Sequence, residues 1–285
     1  MTLTPAAEAH GASVYHAPWQ DLLSVVPRCD AVIVDAPYSA KTHSGHDAGA
    51  QAAAPYQKSD GTWRNQENYS RSALAYAAWG AEEVRAFVEA WHPICDGWMV
   101  SITDDVLAPE WVAAMRAVGR YVFAPLPYVA PGSRVRLAGD GPSGWTTWSV
   151  AGATPAVVGP GEAAAHIVVA RPRNREMATW GTLPGAYILP PGMSERMPVV
   201  GGKPPWLMCR LAEDYSRPGG LIVDPCCGAG TTGIGAIRTG RRAVLGDLNR
   251  EHVDLAAQWI KNPHAPPPGT GERVIPGQPS LFGGP

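Results

Sequence analysis

Gly220-Leu221-Ile222-Val223-Asp224-Pro225-Cys226-Cys227-Gly228-Ala229-Gly230-Thr231-Thr232-Gly233 is an apolar run that ends on a carboxylate and passes through glycines into a helical pattern. It reads as a buried strand, a tight turn and a helix from Thr231 to Thr239 that stops at Gly240. Arg242 to Asp247 is the next strand and Glu251 to Ile260 the helix after it. Working outward, Pro205 to Tyr215 is helical, with Leu207, Leu211 and Tyr215 on one face. Upstream, Asp30 to Asp35 is a second apolar run ending on a carboxylate, followed by Ala36-Pro37-Tyr38. Ala81, Val84, Phe87, Val88 and Trp91 recur at helical spacing, and Gly97 to Thr103 is another buried strand. Asp105 caps a helix through about Val118, while Tyr121 to Val129 and His166 to Ala170 are further strands. Alternating strands and helices predict an α/β fold, a mostly parallel sheet covered on both faces.

Composition limits what such a chain can do. The 285 residues are 45% hydrophobic, enough for a real core, and Gly (32) and Pro (29) predict many turns and long loops. A formal charge of -2 means that any nucleic-acid contact must use a local basic patch. Cys29, Cys95, Cys209, Cys226 and Cys227 show no metal-ligand spacing, so no metal site is expected. They read as reduced thiols in a cytoplasm. Met1 to Gly11 does not read as a signal peptide, and no run of 18 apolar residues suggests a membrane span. The expected organisation is one domain over residues 1–262. Within it, a catalytic half covers about 13–170, an irregular segment about 130–202 and a cofactor half 203–262. A flexible Pro/Gly-rich tail over 263–285 completes the chain.

The glycine loop has two readings. Gly228, Gly230 and Gly233 satisfy the spacing of a dinucleotide fingerprint, and Asp247 lies where a carboxylate can bind ribose hydroxyls. However, Asp224 places negative charge where a pyrophosphate would sit. It suits instead a ligand with a cationic sulfonium and an ammonium. Asp35-Ala36-Pro37-Tyr38 supplies a carboxylate, a backbone carbonyl, a rigid turn and an aromatic plane in four residues. A carboxylate and a carbonyl that accept both N–H bonds of an exocyclic base amine would free its lone pair. A stacked ring would hold the base, worth roughly 1–3 kcal/mol.

Together these motifs resemble the DNA amino-methyltransferases that make N6-methyladenine or N4-methylcytosine. Asp35, Ala36, Pro37 and Tyr38 resemble that family's catalytic (D/N/S)PPY tetrapeptide. Asp224, Pro225, Cys226, Cys227, Gly228, Ala229, Gly230, Thr231 and Thr232 resemble its cofactor loop, close to DPFxGxGTT. Lys203-Pro204 is similar to the Lys-Pro that opens the helix beside the methionine end of the cofactor. The resemblance implies a Rossmann-like class I methyltransferase fold with S-adenosyl-L-methionine held by these residues together with Asp247 and Asn249. The catalytic motif precedes the cofactor loop, the circularly permuted order of the beta class. Ala36 departs from the family's first proline but keeps its carbonyl, and Asp247 stands where Glu is common. Pro18 occupies a place where a carboxylate is usual, with Asp21 as a substitute.

The resemblance further implies double-stranded DNA as substrate, with Asp35 favouring adenine over cytosine. It places target recognition in a small insertion, where Arg171, Arg173 and Arg175, and secondarily Arg134 and Arg136, would contact phosphates. Residues 39–72 read as a loop closing over a flipped base. Gln278, Leu281 and Phe282 resemble the short peptide that docks bacterial proteins on the replication sliding clamp. Competing readings are methylation of an RNA base or a protein amide, and an inactive DNA-binding relic.

Overall fold

The computed structural model describes residues 3–43, 76–130, 164–174, 180–190, 193, 197–199 and 201–269. Among the described residues ten strands form one sheet: β1 Ala7–Ala9, β2 Ala12–His16, β3 Cys29–Asp35, β4 Cys95–Thr103, β5 Tyr121–Val122, β6 Leu126–Val129, β7 Ala164–Arg171, β8 Tyr187–Ile188, β9 Leu221–Asp224 and β10 Arg242–Asp247. Among the described residues the α-helices are α1 Trp19–Leu22, α2 Ala81–Trp91, α3 Ala108–Ala117, α4 Pro205–Tyr215, α5 Thr231–Arg238 and α6 Arg250–Lys261. Strand order is β1-β2-β10-β9-β3-β4-β7-β6-β8, with β5 pairing β7. The stretch β2-β10-β9-β3-β4 is parallel, and β7 then runs antiparallel to β4.

Side chains alternate between the two faces along the central strands, as the strand period of two requires. Ala31 and Ile33 of β3, with Trp98, Val100 and Ile102 of β4, pack against Leu207, Leu211, Ile234 and Trp259 from α4, α5 and α6. Val32, Val34 and Met99 face the other way, onto Leu22, Phe87, Trp91, Trp111 and Met115 from α1, α2 and α3. Each such aliphatic side chain, fully buried, contributes about 1.5–3 kcal/mol. Close helix packing explains one glycine: a Cβ on Gly235 of α5 would meet the Met208 backbone of α4 at 2.6 Å.

Several expectations are corrected. Asp105 does not cap the helix after β4: the N-cap residue is Leu107, with no side-chain cap bond, and Asp104 Oδ1 accepts the Leu107 N–H at 2.9 Å, whereas Asp105 is exposed and pairs with Lys41. The strand expected over Tyr121 to Val129 is two short strands interrupted at 123–125, a stretch that includes Pro125. The free tail expected from 263 begins packed, because the carbonyls of Pro263 and Ala265 accept from Arg238 and Trp259. Arg134, Arg136, Arg175, Gln278, Leu281 and Phe282 lie outside the described residues, as does most of the loop expected over 39–72. Among the described residues no helix is long and apolar enough to cross a membrane, and no cluster of metal-ligating side chains occurs.

Candidate active site

The chain leaves β9 toward β10 on one side and β3 toward β4 on the other, so the adjacent ends of β9 and β3 flank a topological switch point. Ligand crevices in open α/β sheets form there, beyond the carboxyl ends of the strands. A cleft of about 500 Å³ opens at this place, lined by all four residues Asp35, Ala36, Pro37 and Tyr38. Facing them are Asp224, Pro225, Cys226, Cys227, Gly228, Ala229, Thr231, Thr232 and Asp247 from the other half of the chain, with Lys203. Three expected cofactor residues do not line the cleft. Gly230 starts α5 at φ +86°, where a Cβ would strike Ala256 at 2.8 Å, and Asn249 caps α6 by accepting the Glu251 N–H at 2.8 Å. Pro204 opens α4 through its carbonyl; like Gly230 and Asn249, it does not line the cleft.

Asp35 is the electrostatic centre. Lys203 Nζ donates to its two carboxylate oxygens at 3.1 and 3.0 Å and to the Gly201 carbonyl at 2.8 Å. Tyr38 donates its hydroxyl to Asp35 Oδ1 at 3.1 Å, and the Lys203 ammonium lies 5.0 Å from the Tyr38 ring centroid. Burial, then the Asp35 charge, pushes the Tyr38 phenol well above its ordinary range, so it stays a donor. The fold brings Lys203, expected at the cofactor, to Asp35, 168 residues away along the chain, within the same cleft as Asp224 and Asp247.

Asp224 is fully buried, and burial raises its carboxyl to about 7 against the opposing hydrogen bonds from Thr232 and Cys226. Thr232 donates its hydroxyl to Asp224 at 2.5 Å, the Cys226 N–H at 3.1 Å. Burial likewise raises the Cys226 and Cys227 thiols well above their usual range. Asp247 accepts the Gly228 and Asn249 N–H groups, each at 2.8 Å, and sits 3.3 Å from His252 Nδ1. Gly228 itself has φ +52°, and a Cβ there would meet nothing within 4 Å, so its backbone faces open space.

The walls hold residues the sequence reading missed. Trp19 and Gln20 of α1 line the cleft, whereas the expected substitute Asp21 is exposed and does not. Trp79, Met208, Leu248 and His252 also line it. Position just past a strand end could have flagged Trp19, Gln20 and Leu248; nothing local could have flagged Trp79 or Met208. The charge balance decides what fits. Asp35, Glu83, Asp224 and Asp247 line the cleft against one ammonium, Lys203, already paired with Asp35. Such a wall repels a pyrophosphate and suits a ligand with cationic groups.

The arginine cluster lies elsewhere. Asp35 is level with Ile102, and Ile102 with Ile167, but Arg171 is four residues further along antiparallel β7. At about 3.3 Å per residue it stands roughly 13 Å toward the opposite end of the sheet, with Arg173 beyond the strand end. There Arg171 and Arg173 stack over Tyr121, at 4.8 and 5.5 Å from its centroid. Neither lines the cleft.

Residues 200–258 match the N6/N4 family model described as DNA methylase. Over 59 residues the chain is 36% identical to the type II methyltransferase M2.DpnII of Streptococcus pneumoniae; the match spans 21% of this chain and 22% of that relative. The M1.HpyAVI–SAM complex superposes with a TM-score of 0.55 at 14% identity, over 87% of this chain and 98% of the other. PvuII DNA methyltransferase (cytosine-N4-specific) gives 0.55 at 13%, over 91% and 90%. The chain shares the Rossmann-like α/β fold of these structures. Its nearly full-length overlap extends well beyond the short stretch of sequence similarity.

Proposed function

We propose that this chain transfers the methyl group of S-adenosylmethionine to the exocyclic N6 of an adenine flipped out of double-stranded DNA. The observation that carries it is the meeting of Asp35, Tyr38 and Lys203 in one cleft with the buried Asp224 and the Gly228 loop. Support for DNA comes from the methylase match at 200–258, and for adenine from Asp at the head of the tetrapeptide. We read the motif order, catalytic before cofactor, as the permuted beta-class arrangement within a single domain.

Asp224, the Gly228 loop and Asp247 would hold the cofactor, Asp247 at the ribose hydroxyls and Asp224 toward the cationic end. Bound there, S-adenosylmethionine supplies an electrophilic methyl on a sulfonium. The Asp35 carboxylate and the Ala36 carbonyl accept the two N–H bonds of the amine, which frees its lone pair for in-line attack. Tyr38 offers its ring to the base, and Lys203 holds the Asp35 carboxylate in one orientation. The cofactor would supply the methyl to the amine nitrogen and take up the electron pair of the broken C–S bond. The nitrogen then gives up its surplus proton on the Asp35 side. Most of the acceleration is positioning, and flipping the base costs a few kcal/mol.

Nucleoside mass spectrometry of DNA methylated by the wild type and by Asp35→Ala tests this. N6-methyladenine from the wild type alone is expected. N4-methylcytosine would move the assignment to cytosine, and methyl transfer only to RNA or protein would overturn it. The clamp-docking role of Gln278, Leu281 and Phe282 rests on sequence resemblance; truncation before Gln278 should abolish clamp binding and spare methylation.

A further inference from the structure

We infer that Asp104, outside the cleft, is the positioning residue that sets the orientation of Tyr38 for methyl transfer. The inference rests on the proposed function for its catalytic consequence, but its geometry stands by itself. Asp104 follows the last residue of β4, is 1% exposed, and does not line the cleft. Its Oδ2 accepts the Ser39 N–H at 2.8 Å, the Ser39 hydroxyl at 2.6 Å and the Thr42 hydroxyl at 2.7 Å. Its Oδ1 accepts the Leu107 N–H at 2.9 Å. A buried carboxylate thus ties the residues directly after Tyr38 to the start of α3. Burial works to raise this carboxyl, yet the bonds from Ser39 and Thr42 outweigh it and hold the group below its ordinary range.

The peptide unit joining Tyr38 to Ser39 is gripped from both sides. Its N–H goes to Asp104, and its carbonyl accepts the Trp79 N–H at 3.1 Å, beside the parallel bridge between Ser39 and Trp79. A peptide is planar, so fixing both polar ends fixes that plane and with it the ψ angle of Tyr38. Trp79 is in turn stacked on Trp111 of α3, centroids 6.2 Å apart, so both anchors bear on one helix. The tyrosine that donates to Asp35 and offers its ring to the cleft is therefore aimed by a carboxylate that never touches the substrate.

The two oxygens of Asp104 each hold one backbone N–H, Ser39 on one and Leu107 on the other. An asparagine has a single carbonyl oxygen, so in either orientation its NH₂ faces one of those N–H groups. Asp104→Asn is therefore the decisive variant, with Ser39→Ala/Thr42→Val as the second, removing the hydroxyl donors and leaving the backbone bonds. Hydrogen exchange, cofactor-binding stoichiometry and single-turnover methylation are measured on the full chain. In Asp104→Asn, faster exchange over 38–43 with unchanged exchange over 221–247, full cofactor stoichiometry and a turnover rate lowered at least tenfold are expected. A smaller loss, a few-fold, is expected from the double variant. Unchanged exchange over 38–43, or turnover within twofold of wild type, would overturn the inference. If Asp104→Asn fails to fold, the double variant decides in the same terms. A wild type that methylates nothing would defeat the proposed function instead, and the exchange result would still judge the clamp on Tyr38.

Discussion

Replacing Asp224 by asparagine should change how stability depends on pH, by an amount the burial of that side chain sets. Its carboxyl titrates at about 7 in the folded chain, from an ordinary value of 3.8, with burial the largest cause. Because the folded value is raised, the unfolded chain releases its proton first as the pH climbs. The penalty is absent below about pH 4, grows between 4 and 7, and is full above 7. At 1.36 kcal/mol per pH unit it reaches about 4 kcal/mol. Asparagine cannot ionise and escapes this cost, although its NH₂ must face either the Cys226 N–H or the Thr232 hydroxyl now bonded to Asp224. That offset is independent of pH, so the difference between the two proteins isolates the titration. Urea unfolding of both at pH 4, 5, 6, 7 and 8, without cofactor, should show the variant gaining about 4 kcal/mol on the wild type from pH 4 to 7. It should then level off. Parallel curves would refute the reasoning, since they would mean Asp224 is no more buried from water in the folded state than in the unfolded. Under the proposed function, a cationic ligand favours ionised Asp224. Its affinity for the wild type should then fall as the pH drops below 7 and stay flat for the variant, measurable by calorimetry.

Other expectations follow from single contacts. Lys203→Met removes the ammonium from both Asp35 oxygens, so turnover should fall roughly tenfold to hundredfold in single-turnover assays, a positioning loss. Arg171→Ala and Arg173→Ala, at the end of the sheet away from the cleft, should each change DNA affinity less than twofold in fluorescence anisotropy at fixed salt. Arg120→Met should cost about 3 kcal/mol or more in urea unfolding while leaving turnover per folded molecule unchanged. That guanidinium, 1% exposed, donates to the carbonyls of Gly97 and Cys95 at 2.6 and 2.7 Å, and the variant strands those acceptors.

What the sequence by itself determined was local. The run from Gly220 to Gly233 specifies strand, turn and helix through its apolar period and its glycines, and both acidic strand ends at Asp35 and Asp224 were readable as site residues. The tetrapeptide and the glycine loop were each legible because their chemistry lies within a few consecutive residues. The tertiary structure decided everything that depends on which strands are neighbours. It brought Lys203 to Asp35, and the Leu107 N–H at the start of α3 to Asp104, the same carboxylate that holds Ser39. It also carried Arg171 and Arg173 away from the cleft, because β7 turned out antiparallel and its register with β4 sends its last residues to the far end. No periodicity encodes these facts. A strand's pattern says which face it buries, while its partner and direction are chosen by the long-range packing of the whole sheet.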